Sequence, residues 1–283
     1  STGSDRHVGR AMSDMEGRLP LRITTWNANS IRLRESALRR IVTEIRPDVL
    51  CLQEIKCEDE KFPFELCREL GFLHLFVHGQ KAYHGVAILS KVPLEGCEGR
   101  KWCENADCRH AIATLPGGIE LHNFYIPAGG DLPDPELNPK FRHKLGMVEE
   151  LTGYFGERRG DGARIVLVGD LNIAPLENDV WSHRQLLDVV SHTPVETQGL
   201  NRMQEAYGFV DAVRTVVPPS RKLFTWWSYR ARDWDLSDRG RRLDHVWLSP
   251  ALAPALVTAE VRRDARGWES PSDHVPVTVE LAV

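Results

Sequence analysis

Short apolar runs, divided by turn residues and by helix-like segments, follow one another along this chain from Leu21 onward. Runs of this length and composition are typical of β-strands. Two segments carry apolar residues at helical spacing instead: one ends at Pro47, and the other covers residues 140–155. The predicted strands are 21–26, 49–52, 72–77, 86–89, 111–115, 119–126, 165–168, 224–229, 243–248, 256–261 and 275–281. Many strands with interspersed helices predict an α/β fold, a four-layer sandwich in which two packed mixed β-sheets are flanked by helices.

The composition is typical of a soluble globular protein, since 42% of the 283 residues are hydrophobic and 27% are charged. Residues 21–283 are expected to form one domain. Residues 1–20 have no periodicity and are expected to be a flexible lead or an expression remnant. No apolar segment reaches the length of a membrane span, so a cytoplasmic protein with no membrane partner is expected, associated with the nucleoid in a bacterium. The six cysteines lack zinc or redox spacing, which predicts reduced thiols.

Residues able to bind a metal or a phosphate stand where the apolar runs end. Strands of one sheet deliver such residues to one rim, where the active sites of sheet proteins tend to lie. Any single member of the set is more often a turn former or a helix cap, but the whole set contains the carboxylates, amides, His and Tyr that a hydrolase needs. The members are Asn27, Asn29, Gln53, Glu54, Tyr125, Asp170, Asn172, Asp244, Asp273 and His274.

These residue types suit phosphodiester hydrolysis. The reaction needs neutralised phosphate oxygens, an activated water and a stabilised leaving oxygen. Magnesium prefers carboxylate and amide oxygens and serves the first and third needs, with manganese as an alternative. Zinc is disfavoured, because the chain has no Cys/His cluster with zinc spacing.

Six short motifs, in this order, resemble those of the endonuclease/exonuclease/phosphatase superfamily, and the resemblance covers residues 21–283. They are Trp26-Asn27-Ala28-Asn29, Leu52-Gln53-Glu54-Ile55-Lys56, Gly85-Val86-Ala87, Gly169-Asp170-Leu171-Asn172, Arg242-Leu243-Asp244-His245 and Ser272-Asp273-His274. Within the superfamily, Tyr125 stands where many members have a second catalytic His, and Ala128-Gly129 follow it. This feature and the segment from Phe224 to Asp244 resemble exonuclease III and the abasic-site endonucleases.

The resemblance implies a role for each site residue. Glu54 would bind magnesium, helped by Asn29 and Asp273, while Asn27 would hold a metal-bound water or a phosphate oxygen. Asp170 would orient or deprotonate the attacking water, and Asn172 would fix its position. His274 would donate to a phosphoryl oxygen while Asp244 holds its ring, and Tyr125 would contact the phosphate or the leaving oxygen. Trp226 would line a pocket for a sugar that has lost its base.

A basic segment offsets the net charge of −4, which by itself argues against a nucleic-acid ligand. Seven basic residues lie between Arg221 and Arg242, and among them Arg239, Arg241 and Arg242 are expected to bind DNA phosphates. At least one of the interleaved tryptophans is expected to be a core residue. Two departures from the family pattern matter: Asn29 stands where some relatives have Asp, and Arg241 stands where an aromatic closes the sugar pocket.

The expected function is therefore a metal-dependent DNA phosphodiesterase of base excision repair. It would act as a monomer on duplex DNA, cutting 5′ to abasic sites and processing damaged 3′ ends, with 3′ to 5′ exonuclease activity. One alternative is a superfamily enzyme that acts on a lipid or a small phosphoester. Another is a DNA-binding relative with a degenerate site, against which the complete set of site residues argues.

Overall fold

A computed structural model describes residues 18–283 of the chain. The twelve strands are β1 Pro20–Asn27, β2 Val49–Gln53, β3 His74–His78, β4 Val86–Ser90, β5 Glu95–Gly99, β6 His110–Leu115, β7 Ile119–Tyr125, β8 Ile165–Asp170, β9 Val210–Asp211, β10 Asp244–Leu248, β11 Leu256–Val261 and β12 Val277–Ala282. The helices are α1 Glu35–Arg40, α2 Phe64–Glu69, α3 Pro139–Glu157, α4 His183–Leu186, α5 Pro194–Tyr207, α6 Ala212–Val216 and α7 Trp234–Ser237. A π-helical turn, Ile41–Ile45, extends α1.

Two six-stranded sheets share one plan, with a single parallel pair of strands at the centre of each. The first sheet has the order β11-β12-β1-β2-β4-β3, and the second has the order β5-β6-β7-β8-β10-β9. The parallel pairs are β1 with β2 and β7 with β8, while the other neighbours are antiparallel. Both sheets are therefore mixed.

The alternation of side chains along each strand divides the core into layers. Inward-facing residues such as Ile23 and Val168 belong to the cluster between the two sheets. Outward-facing Leu52 packs with Leu38 of α1, and outward-facing Leu167 packs with Met147 of α3. The predicted four-layer sandwich of two packed mixed sheets flanked by helices is confirmed.

The predicted strand over residues 224–229 is wrong. Its aromatic residues carry the composition of a strand, but the backbone connects two loops instead of entering a sheet. Trp226 exchanges backbone hydrogen bonds with Arg241, and the amide of Trp227 donates to the carbonyl of Asp273. Trp226 also forms an isolated bridge with His274. The segment thus fastens the two loops that carry Asp273, His274 and Arg241.

The other boundaries differ by a few residues. β1 begins at Pro20, which was expected to close the flexible lead, and β3 begins at His74, two residues later than predicted. The rest of the lead, residues 1–17, lies outside the described residues. None of the described helices has the length and apolar character needed to span a lipid bilayer.

Candidate active site

The carboxyl ends of the two parallel strand pairs meet at one edge of the sandwich. Asn27 and Gln53 are register partners at the end of β1 and β2, and Tyr125 and Asp170 are partners at the end of β7 and β8. Asp244 of β10 pairs with Asp170 across the second sheet. This edge therefore brings together polar residues that are far apart in the sequence, as the strand-end pattern predicts.

Asn27 joins the two carboxylates at the centre of the site. Its side-chain nitrogen donates to Glu54 Oε1 and to Asp170 Oδ2, each at 2.9 Å. Asn27 and Asp170 are almost fully buried, whereas Glu54 is partly exposed. Burial and the nearby carboxylates of Asp244 and Glu54 raise the pKa of Asp170 to about 8, against the opposing effects of His274 and of the hydrogen bond from Asn27.

The donor chemistry of this cluster fits a hard divalent cation. Among residues 18–283, Glu54, Asp170 and His274 offer ligand atoms that all lie within 4.8 Å of one another. Two carboxylates held this close in a buried setting repel each other, and a cation between them would relieve that repulsion. Glu54 and Asp170 are the oxygen donors of the set. His274 offers only ring nitrogens, and its Nδ1 atom already contacts Asp244.

His274 is held as a cation by two carboxylates. Its Nδ1 atom donates to Asp244 Oδ2 at 2.8 Å, and its Nε2 atom lies 3.5 Å from Asp170 Oδ2. Burial alone would lower the pKa of His274, but the Asp244 and Asp170 charges together raise it well above its ordinary value. The hydroxyl of Thr225 donates to Asp244 Oδ2 at 2.6 Å. This hydrogen bond orients the Asp244 carboxylate, which in turn orients the imidazole of His274.

Asn172 and Tyr125 complete the inner surface of the site. The backbone N–H of Asn172 donates to Asp170 Oδ1 at 3.0 Å, and its side-chain nitrogen donates to the carbonyl of Ile126 at 2.7 Å. Asn172 and Glu54 both have left-handed backbone conformations, with φ of 53° and 47°. Such conformations in residues other than glycine often mark functional sites. Burial, with the nearby Glu54 and Asp170 carboxylates, raises the pKa of Tyr125 well above its ordinary value, so its hydroxyl stays a hydrogen-bond donor.

Asn29 and Asp273 lie beside this cluster and engage other partners. Asn29 Oδ1 accepts a hydrogen bond from Lys56 Nζ at 2.6 Å, and Asn29 Nδ2 lies 3.4 Å from Asp273 Oδ1. Trp226 Nε1 donates to Asp273 Oδ2 at 3.0 Å. Asp273 is outside the group of close ligand atoms around Glu54. The structure therefore places Asp273 as an anchor for Trp226, and its role as a metal ligand stays a prediction.

A cleft of about 540 Å³ opens above the cluster. Glu54, Tyr125, Asn172 and His274 line it at the strand ends. The lining also includes the loop residues Val190, Ser191, Trp226, Arg230 and Arg241. The cleft thus places an aromatic ring and cationic side chains next to the carboxylates and the imidazole.

The sequence profile of the Endonuclease/Exonuclease/phosphatase family matches residues 24–274, which include every predicted site residue. The chain belongs to this family. Exodeoxyribonuclease III of Haemophilus influenzae is 32% identical over 272 residues, covering 92% of this chain and all of that protein. An AP endonuclease from Archaeoglobus fulgidus has a similar structure, with a TM-score of 0.85, 31% identity, and coverage of 93% of this chain and 100% of that one. The 3′ phosphatase NExo from Neisseria, bound to a product DNA hairpin, has a TM-score of 0.83 and 32% identity, with coverage of 92% and 99%.

These similarities confirm the exonuclease III and AP-endonuclease branch of the Endonuclease/Exonuclease/phosphatase family, and with it the expectation of a phosphodiester-cleaving enzyme of the DNA repair type. The family is metal-dependent, and Glu54, Asp170 and His274 form a candidate metal-binding group in the described part of this chain. The expected core tryptophan is Trp227, which is almost fully buried.

Arg242 was expected to bind DNA phosphate, and this expectation is wrong. The side chain is fully buried and makes ion pairs with Asp179 and Asp211 at 2.8 Å each. Arg214 also pairs with Asp179, at 2.7 Å. A buried guanidinium held by two carboxylates cannot reach a DNA backbone. Arg242 therefore stabilises the loop before β10, which carries Asp244 into the site.

We expect Arg242→Met to lower the free energy of unfolding by about 3 kcal/mol, because it leaves the buried Asp179 carboxylate with only one cationic partner. Chemical denaturation measures this loss.

Arg239 is the matched comparison: it is exposed and lies over the ring of Trp181, at 4.8 Å. Arg239→Gln should keep the stability and flatten the salt dependence of DNA binding by about one unit of log-log slope. Equal effects of Arg242→Met and Arg239→Gln on the salt dependence of DNA binding would contradict the assignment of Arg242 to the interior and of Arg239 to the DNA-binding surface.

Two buried residues beneath the cleft were not singled out from the sequence. Lys144 of α3 is fully buried, forms an ion pair with Glu196 of α5, and donates to the carbonyls of Ala128 and Asn172 at 3.0 and 2.7 Å. Glu196 in turn accepts from the backbone N–H of Ser191 at 2.8 Å. The pair thus connects the strand-end loops to the helices. Lys144 lies in a helical pattern with other charged residues, so the sequence carries no signal of its burial.

Proposed function

We propose that residues 21–283 form one catalytic domain that, as a monomer, cleaves the DNA backbone on the 5′ side of abasic sites and removes damaged 3′ ends. The observation that carries the proposal is the contact of His274 with both Asp170 and Asp244, together with the cleft that His274 and Trp226 both line. The cluster supplies hydrolytic groups, and the cleft beside it has room for a sugar without its base.

In the proposed reaction, water attacks the phosphorus atom and the bond from phosphorus to the 3′ oxygen breaks. Asp170 accepts a proton from the water, and because burial raises its pKa, its ionised carboxylate is a stronger proton acceptor than an exposed one. Asn172, two residues after Asp170, holds the same water in position. His274, kept protonated by Asp244, donates to a phosphoryl oxygen and stabilises the charge that develops there. Tyr125 donates to the phosphate or to the leaving oxygen.

Glu54, with Asn29 nearby, would hold a magnesium ion in this site. When bound, magnesium neutralises phosphate oxygens and stabilises charge on the leaving oxygen. Asn27 keeps Glu54 and Asp170 in place by donating to both carboxylates. Lys56 Nζ lies 3.4 Å from Glu54 Oε2, so one cationic charge already faces this carboxylate.

Glu54→Gln should raise the magnesium concentration needed for half-maximal cleavage by about tenfold or more, because a neutral amide replaces a charged ligand. Metal titrations of cleavage on one DNA substrate measure this shift. Glu60, an exposed carboxylate in the 3-10 helix Asp59–Lys61, provides the control variant Glu60→Gln. Identical titration curves for wild type and Glu54→Gln would remove Glu54 from the metal site.

The substrate assignment is tested by comparing cleavage rates on a duplex with one abasic site, an undamaged duplex and an inositol phospholipid. We expect the abasic duplex to be cut fastest, and Trp226→Ala to lower the ratio of abasic to undamaged cleavage about tenfold, because Trp226 forms one wall of the cleft. Faster turnover of the phospholipid would reject the proposal. An unchanged ratio in the variant would show that substrate choice lies elsewhere.

A further inference from the structure

A buried amide lies between the two sheets, one step below the active site along β7. Asn123 stands on β7 between Leu121 and Tyr125, which both belong to the apolar cluster between the sheets. Because residues two apart on a strand share a face, Asn123 also points toward the first sheet. Its side chain is fully buried. A polar group in this position needs hydrogen-bond partners inside the protein.

The partners of Asn123 belong to the other sheet. Its Nδ2 atom donates to the carbonyls of Leu52 and Ala87, at 3.0 Å each. These two residues are register partners on β2 and β4 of the first sheet. A carbonyl oxygen can only accept a hydrogen bond, so the two contacts fix which end of the Asn123 amide is the nitrogen. Asn123 therefore ties β7 of the second sheet to two strands of the first sheet.

Gln53 supports this tie from the first sheet. Because Asn123 Oδ1 is an acceptor, Gln53 is the donor of the bond between them, and its Nε2 atom lies 2.7 Å away. The same nitrogen donates to Thr25 Oγ1 at 2.9 Å. Gln53 Oε1 is buried and has no hydrogen-bond partner within residues 18–283. The orientation of Gln53 thus follows from Asn123 and Thr25, although an unpaired buried acceptor is unfavourable for stability.

The tie connects the two halves of the active site. Leu52 lies two residues before Glu54, the proposed magnesium ligand, and Asn123 lies two residues before Tyr125. Tyr125 is in turn the register partner of Asp170. Glu54 therefore follows a strand of the first sheet, whereas Tyr125 and Asp170 end strands of the second sheet. The geometry of the site depends on how the two sheets are placed relative to each other.

Apolar packing holds the sheets together without fixing their relative position closely, because the hydrophobic effect has no preferred direction. Hydrogen bonds have preferred distances and angles, and a buried hydrogen-bond network rigidifies a core. Asn27 of the first sheet makes one directed contact across the sheets, to Asp170 within the site. Asn123 makes the second, from the opposite sheet and below the site.

We propose that Asn123 is a positioning residue, which sets the separation between Glu54 on the first sheet and Asp170 on the second. Because its side chain is fully buried, it acts through the strands that carry these carboxylates and not by contact with DNA. The inference rests on the proposed function, since the separation matters for the rate only if both carboxylates act on one phosphate. Loss of the tie should therefore slow the cleavage step and leave DNA binding intact.

Two variants separate positioning from stability. Asn123→Leu keeps the branched shape and removes the tie, but it leaves Gln53 without its acceptor. Asn123→Leu combined with Gln53→Met makes the layer apolar, so this double variant should regain much of the lost stability. For both variants we expect a single-turnover rate on the abasic duplex, at saturating DNA, about thirtyfold below that of wild type. DNA affinity should stay close to that of wild type, and chemical denaturation measures the stability.

Thr278→Val is the matched control. Thr278 Oγ1 lies 2.8 Å from Thr24 Oγ1, and this buried pair joins β12 to β1 within the first sheet. The variant removes a buried hydrogen bond inside one sheet, so it should lower the stability and keep the cleavage rate. If Asn123→Leu does not fold, Asn123→Val, which is smaller and also lacks a donor, takes its place.

Two results would overturn the inference: a wild-type rate for the folded single variant, or a double variant that regains the rate together with the stability. In either case Asn123 only stabilises the fold. Cleavage of the abasic duplex by wild type separates this failure from failure of the proposed function. If wild type and the variants cut the abasic duplex at the same rate, the role of Asn123 alone is rejected. If wild type cuts no DNA substrate, both proposals are rejected.

Discussion

Asp170→Asn is expected to lower the single-turnover rate of DNA cleavage by about a thousandfold, because the amide cannot accept a proton from water. The amide keeps the size of the side chain and an acceptor for the hydrogen bond from Asn27, so the arrangement around Glu54 should persist. DNA binding, measured in parallel by fluorescence anisotropy, should remain close to that of wild type.

The matched control for this variant is Asp179→Asn, which changes a buried carboxylate in the ion-pair network of Arg242 and Arg214. That change should lower stability and have a much smaller effect on the cleavage step at a temperature where the protein is folded. Asp170→Asn should not destabilise the metal-free protein, because it removes a charge whose burial is unfavourable. A near wild-type rate for Asp170→Asn would withdraw the assignment of Asp170 as the base.

His274→Ala is expected to lower the same rate by about two to three orders of magnitude, the scale of losing one preorganised charged donor at a developing negative charge. His274→Gln keeps a hydrogen-bond donor without the positive charge and should recover part of the loss. Single-turnover measurements on all three proteins separate the contribution of the charge from that of the hydrogen bond. Equal rates for His274→Ala and wild type would show that His274 does not act on the phosphate.

Asp244 gives this prediction a pH signature. The Asp244 carboxylate holds the pKa of His274 well above its ordinary value, so wild-type His274 remains protonated through neutral pH. Asp244→Asn removes the closer of the two charges, and the pKa of His274 should fall. The cleavage rate of Asp244→Asn should therefore decline as the pH rises through the lowered pKa of His274. Over the same pH range, the His274-dependent rate of wild type should remain constant. Parallel pH profiles for the two proteins would contradict the role of Asp244.

The sequence predicts the layers of the fold well because buried strands have an unmistakable apolar composition. β8 is an example, since its residues are buried on both faces. β5 was missed because its residues, Glu95–Gly99, are all exposed and include no large apolar side chain. The aromatic segment at residues 224–229 was misassigned for the opposite reason: its composition is that of a strand, whereas its hydrogen bonds go to the loops that carry Arg241 and Asp273.

The site residues at the strand ends could be predicted because the topology of a sheet carries them to one edge. What the sequence could not show is how each charge is compensated. Arg241 and Arg242 are adjacent and chemically identical, yet one lines the cleft and the other pairs with Asp179 inside the protein. The buried Lys144 also stands among exposed charges of α3 and has no distinguishing neighbour in the sequence. Such differences depend on which loop packs against each side chain, and that is a property of the tertiary structure.

The most direct test of the proposed reaction is incision of a duplex with one natural abasic site in ¹⁸O-labelled water, with magnesium and with excess chelator. Mass spectrometry of the products identifies both new ends. We predict a 3′-hydroxyl end and a 5′-phosphate on the abasic sugar that carries one ¹⁸O atom, with no incision in chelator. A 3′ unsaturated aldehyde, which elimination would leave, or full incision in chelator would contradict metal-dependent hydrolysis by this site.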